Sequence, residues 1–104
     1  LVAIVIALSD KVEEVIELIF PQDIAPLVRE HLLCDCAENI PFCKDHSPSQ
    51  MDRIRLSALR LSNGDYGDLK KAVLLAQKDW RDLFMAAGFS HDPQAHMTWK
   101  PDAH

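Results

Sequence analysis

Residues 47–64, SPSQMDRIRLSALRLSNG, constrain the fold more than any other stretch, because they specify a whole helix together with both of its ends. Ser47-Pro48-Ser49-Gln50 has the form of a capping box with proline at the first helical position, where a missing N–H costs little. Asn63-Gly64 supplies residues that tolerate the left-handed conformation in which helices stop. Between these ends Met51, Ile54, Ala58 and Leu61 recur at three- and four-residue spacing, a stripe that Asp52, Arg53, Arg55 and Arg60 largely avoid. Such a stripe needs other apolar surfaces to cover it.

The rest of the chain supplies them in the same period. Ser9 is placed to cap a helix with Val12, Val15, Ile16 and Ile19 on one side and Glu13, Glu14 and Glu17 in water, ended by Pro21. Asp23 is expected to cap a second helix running to about Ala37, with Pro26 in its first turn. Asp65 starts a further helix along Leu69, Ala72, Val73 and Ala76, which Trp80, Leu83, Phe84 and Ala87 continue as a bent extension or as a separate helix. Gly88-Phe89 has the form of a Schellman ending, and Asp92-Pro93 opens one short further turn. Leu1 to Leu8, LVAIVIAL, is apolar on every face and β-branched, so it reads as a strand or as more of the first helix, with helix the expectation. The predicted fold is all-α: one domain, 1–104, a small bundle of about five helices, with an apolar segment at 1–8 and a tail at 90–104.

At 104 residues the chain can build a core without disulfides or a metal. Residues 1–46 carry nine acids against Lys11, Arg29 and Lys44, a net −6, while 47–104 carry eight bases against seven acids. Neither half clusters the lysine and arginine that a phosphate backbone requires, so no nucleic-acid partner is expected. Three cysteines, an odd number, fit a reducing cytoplasm better than a disulfide framework. LVAIVIAL is too short for a membrane span and has no basic segment before it, so neither export nor an anchor is expected.

The most chemically pointed stretch is HLLCDCAENIPFCKDH, residues 31–46. His31 and Cys34 share one helical face, and Cys43 with His46 repeats the spacing in reverse across a loop, so the four could present a tetrahedral zinc set. Cys36 is surplus to it, and the spacing matches no familiar zinc module. The competing reading treats the cysteines as small apolar core residues, with His31 and His46 at the surface and no cofactor. A Cys36–Cys43 or Cys34–Cys43 disulfide is a third arrangement.

Other stretches read more simply as structure. Residues 63–68, NGDYGD, have the composition of a calcium loop but place Leu74 where the twelfth-position glutamate belongs, so Asp65 and Asp68 read as helix-start residues. Within Trp80–Ala87 only Arg81 could read bases, which argues against a recognition helix and leaves Trp80 as a core anchor. His91, His96 and His104 read as exposed tail residues. No nucleophile elbow, phosphate loop or H-E-x-x-H is present, so no catalytic residue is assigned.

Residues 58–89, ALRLSNGDYGDLKKAVLLAQKDWRDLFMAAGF, resemble the C-terminal portion of small bacterial helical proteins to which no activity is attached. The resemblance rests on Leu-Ser-Asn-Gly-Asp, Asp-Trp-Arg-Asp and Ala-Ala-Gly-Phe, covers about a third of the chain, and implies a helical fold in a bacterial cytoplasm.

The expected function is therefore non-catalytic: binding another protein, beginning with a second copy. The apolar opening octapeptide followed by an already amphipathic helix implies surplus apolar surface, which places Leu1, Ile4, Val5, Leu8 and Val12 at a homodimer interface. The alternatives are a zinc protein using His31, Cys34, Cys43 and His46, or a small enzyme with a site between helices.

Overall fold

The computed structural model describes residues 7–35 and 47–101, and every regular element within them is helical. α1 (Asp10–Ile19) is capped by Ser9, whose Oγ accepts from the Val12 N–H at 3.2 Å. It buries Val12, Val15 and Ile16, and ends where Phe20 turns extended and enters the core. A turn follows, in which the Ile24 and Ala25 N–H groups both donate to the Pro21 carbonyl. α2 (Ala25–Asp35) therefore starts after this turn rather than directly on an Asp23 cap, and Pro26 still falls in its first turn. Its buried stripe is Ala25, Val28 and Leu32.

α3 (Pro48–Ser62) occupies the centre. Ser47 Oγ accepts from the Gln50 N–H at 3.2 Å, and Asn63 ends the helix in the left-handed region at φ 48°. The one-sided stripe read from the sequence is too narrow: Met51, Ile54, Arg55, Leu56, Ser57, Ala58, Leu59 and Ser62 are all buried, while Leu61 is only half-buried. The cause is neighbours on several sides, since α1, α4 and α5 all pack against it. The hydroxyls of Ser57 and Ser62 are satisfied within the helix by the Arg53 and Leu59 carbonyls, which lets them sit in the core.

α4 (Tyr66–Ala87) starts on Asp65, whose Oδ1 accepts from the Asp68 N–H at 2.8 Å, the capping role read from the sequence. It bends at Asp79, where φ −159° and ψ 106° interrupt the helical path. Asp79 acts there as an internal cap. Its Oδ1 accepts from the Arg81 N–H at 3.0 Å, restarting the helix, and its carboxylate holds the Arg81 guanidinium through two further hydrogen bonds. Those bonds, the Arg81 side chain first, hold the Asp79 carboxyl below its ordinary pKa. An Asp79→Ala substitution is expected to speed amide exchange at Arg81 and Asp82 and lower the melting temperature, while Asp79→Asn keeps the cap. Exchange unchanged in the alanine variant would remove Asp79 as the cause of the restart.

The C-terminal end of α4 closes as the sequence implies. Gly88 is left-handed at φ 80°, its N–H donates to Met85, and the Phe89 N–H reaches back to the Phe84 carbonyl at 2.9 Å. The segment beyond is not a free tail. A turn at Asp92 leads into α5 (Ala95–Thr98), which packs on α3, with His96 buried and Trp99 half-buried against the core. His91 is exposed as expected, and His104 lies outside the described residues. No helix of the described residues is long and apolar enough to cross a membrane.

Candidate docking groove

α2 and the first half of α4 run beside each other and leave a groove between them. On the α2 side Leu27, Glu30, His31 and Cys34 recur at the spacing of one helical face. Facing them, Tyr66, Lys70, Val73, Leu74 and Gln77 form the corresponding face of α4. The groove has two compartments of about 220 Å³ and 260 Å³, and half-buried His31 lines both. The His31 and Tyr66 rings meet edge to face at 6.2 Å, and the Lys70 ammonium lies 5.3 Å from the Tyr66 ring centre. Leu27 in the first compartment is 45% exposed and Leu74 in the second 63%, so each compartment carries one large aliphatic side chain standing in water. Glu30 lines the α2 wall and Lys70 the α4 wall.

A larger depression of about 420 Å³, at the corner of α1 and α2, is lined by Glu17, Phe20, Gln22, Ala25 and Arg29. Its cation is already committed: Arg29 donates to Glu13 at 2.5 Å and to Glu17 at 3.4 Å. The hydrogen bond to Glu13, above all, raises the guanidinium pKa. This corner ties α1 to α2.

The residues singled out in the sequence fall in different places. His31 and Cys34 do share one compartment, while Cys43 and His46 lie outside the described residues. Among the described residues no three His, Cys, Asp or Glu side chains come together as a metal-binding group. Cys34 is exposed rather than a core residue, and Cys36 and Cys43 lie outside the described residues. The buried stripe of α2 passes through Leu32, and two further residues turn Cys34 to the opposite side. Leu1, Ile4 and Val5 also lie outside the described residues. Leu8 is half-buried against the core, and Val12 is fully buried inside the protomer, so Val12 has no surface left for a second copy. α1 spends its apolar stripe on its own bundle.

Sequence reasoning passed over Leu27 and Leu74. The signal was present for Leu74, a leucine off the Leu69, Ala72, Val73, Ala76 stripe and set among Lys70, Lys71 and Lys78. Leu27 carried less, since α2 is apolar on several faces.

Fold and groove together define an all-α bundle with a cleft of mixed polar and apolar lining between two helices. No protein-family model, curated protein or solved structure matches the chain.

Proposed function

We propose that this is a non-catalytic helical protein that associates with itself through the α2/α4 groove, in a bacterial cytoplasm. The observation that carries this reading is the pair of exposed leucines, Leu27 and Leu74, one in each of two adjoining compartments that share His31. Aliphatic groups held in water beside a cleft are an interface feature, because burying what remains exposed of each would gain about 1–2 kcal/mol. A second copy is the occupant that the charges favour. With Glu30 on one wall and Lys70 on the other, a two-fold axis sets each acid toward the partner's base, which makes the face complementary to itself. The bacterial setting rests on the resemblance carried by residues 58–89.

The test is light scattering at micromolar concentration. A dimer is expected, and Leu74→Glu should weaken it roughly 100-fold with an unchanged circular dichroism spectrum, because each copy loses its leucine. Glu30→Lys should weaken it too, and the Glu30→Lys/Lys70→Glu double exchange should restore it. A wild-type protein that stays monomeric when concentrated would overturn the reading.

A second reading draws on His31 and Cys34 sharing a compartment: zinc held by these two with Cys43 and His46. Stoichiometric zinc, with a melting temperature that falls in chelator, would favour it.

A further inference from the structure

The segment after α4 is held by contacts that come from two different helices. Arg53 Nη2, on α3, donates to the Phe89 carbonyl at 2.7 Å, with its guanidinium 4.1 Å from the Phe84 ring centre. Trp99 meets Phe89 edge to face at 6.0 Å, and the Arg60 guanidinium lies 5.0 Å from the Phe89 ring and 5.9 Å from the Trp99 ring. From α1, Lys11 Nζ donates to the Trp99 carbonyl at 2.7 Å. The four residues of α5 have no side-chain cap and are too few to be helical alone, so these contacts hold the segment in place.

His96 sits on the inner side of that segment, 1% exposed. Its Nδ1 is buried with no hydrogen-bond partner among the described residues. The charged groups facing it are Lys11 from α1, Asp52 and Arg53 from α3, and Asp92 from the turn before α5. A neutral imidazole is tolerated there at the cost of one unmet acceptor or donor. An imidazolium would be a desolvated cation whose attraction to Asp52 and Asp92 is countered by Arg53 and Lys11.

We propose that Asp92–Pro101 is a pH-released strap, docked on α3 while His96 is neutral and detached when His96 takes up a proton. Burial chiefly lowers the His96 pKa; Asp52 opposes it, Arg53 and Lys11 add to it, and Asp92 opposes it least. The sign follows from linkage. Above about pH 6.5 the imidazole is neutral docked or undocked, and docking is at full strength. Below that value the undocked form binds the proton and the docked form resists it, so docking weakens by up to about tenfold per pH unit until the docked form protonates as well. Release uncovers Phe89 and the surface of α3 beneath His96.

Amide exchange tests this directly, because the Ala95 and Met97 N–H groups are protected only in the docked turn, by the Asp92 and Gln94 carbonyls. Corrected for intrinsic rates, their opening constant is expected to rise up to about tenfold per unit below about pH 6.5. That of Leu59 in the core should stay level, and His96→Gln should make the Ala95 and Met97 response flat. Should that variant not fold, the C2 proton of His96 in the wild type serves instead, with a titration midpoint below the ordinary histidine value that coincides with strap opening. An opening constant that does not change with pH, a rise shared with Leu59, or an equal rise in the folded glutamine variant would each overturn the proposal.

Discussion

Alanine at position 64 is expected to destabilise the protein by roughly 2–4 kcal/mol, the sum of a left-handed backbone and a steric clash. Gly64 has φ 82°, and a Cβ built there would lie 2.7 Å from the Ile19 carbonyl oxygen, a backbone atom at the end of α1 that cannot swing aside. The α3–α4 turn and the end of α1 are thus in contact through a position with no room for a methyl group. Gly88 provides the control. Its φ is 80°, yet the nearest atom to an added Cβ is Arg60 Nη1 at 3.8 Å, an ordinary contact. Gly88→Ala is therefore expected to cost only about 1–2 kcal/mol, the conformational part alone. Urea denaturation of the two variants should separate them by midpoint. Equal losses would show that the approach to Ile19 does not matter.

Arg55→Ala is expected to be nearly as damaging, at about 2–4 kcal/mol, for a different reason. Arg55 is fully buried in the central helix, and its Nη1 donates to the Ala7 carbonyl at 2.9 Å, joining α3 to the chain that leads into α1. Alanine removes a charge-assisted hydrogen bond and leaves the space of a long side chain. Arg55→Met keeps most of that volume, so its loss should be smaller, while amide protection at the start of α1 should fall in both variants. A methionine variant as unstable as the alanine variant would place the whole effect in the polar contacts of the guanidinium rather than in its volume. An alanine variant of wild-type stability would show that the buried guanidinium holds nothing.

Arg55 also marks where local pattern stops being informative. Capping boxes, left-handed stops and the Schellman ending are satisfied by residues within a few positions of one another. Ser9, Ser47, Asp65, Asn63 and Gly88 accordingly take the roles their neighbours imply. The bend in α4 was legible as an interruption after Ala76, but its cause, Asp79 leaving the helical path and capping the stretch that restarts after it, depends on a backbone angle that composition does not reveal. The stripe of α3 was read as one face because a helical period alone cannot count the neighbours of a helix. With helices on several sides, even Arg55 and two serines are enclosed.

The groove and the strap show the same division. His31 and Cys34 were readable as one face of α2, since their spacing is local. That the face looks onto Tyr66, Lys70 and Leu74, more than thirty residues away in sequence, was not. His96 read as solvated because nothing within its own short segment covers it; the cover comes from α3, with Lys11 of α1 reaching across 88 residues to Trp99.

By itself the sequence determined that this chain is helical and where most helices begin and end, because those choices are made by hydrogen bonds to near neighbours and by apolar period. Only the tertiary structure decided which helix lies at the centre, which leucines stay in water, and which histidine is shut away. Those outcomes depend on surfaces contributed by distant segments, and burial is a property of the assembled bundle.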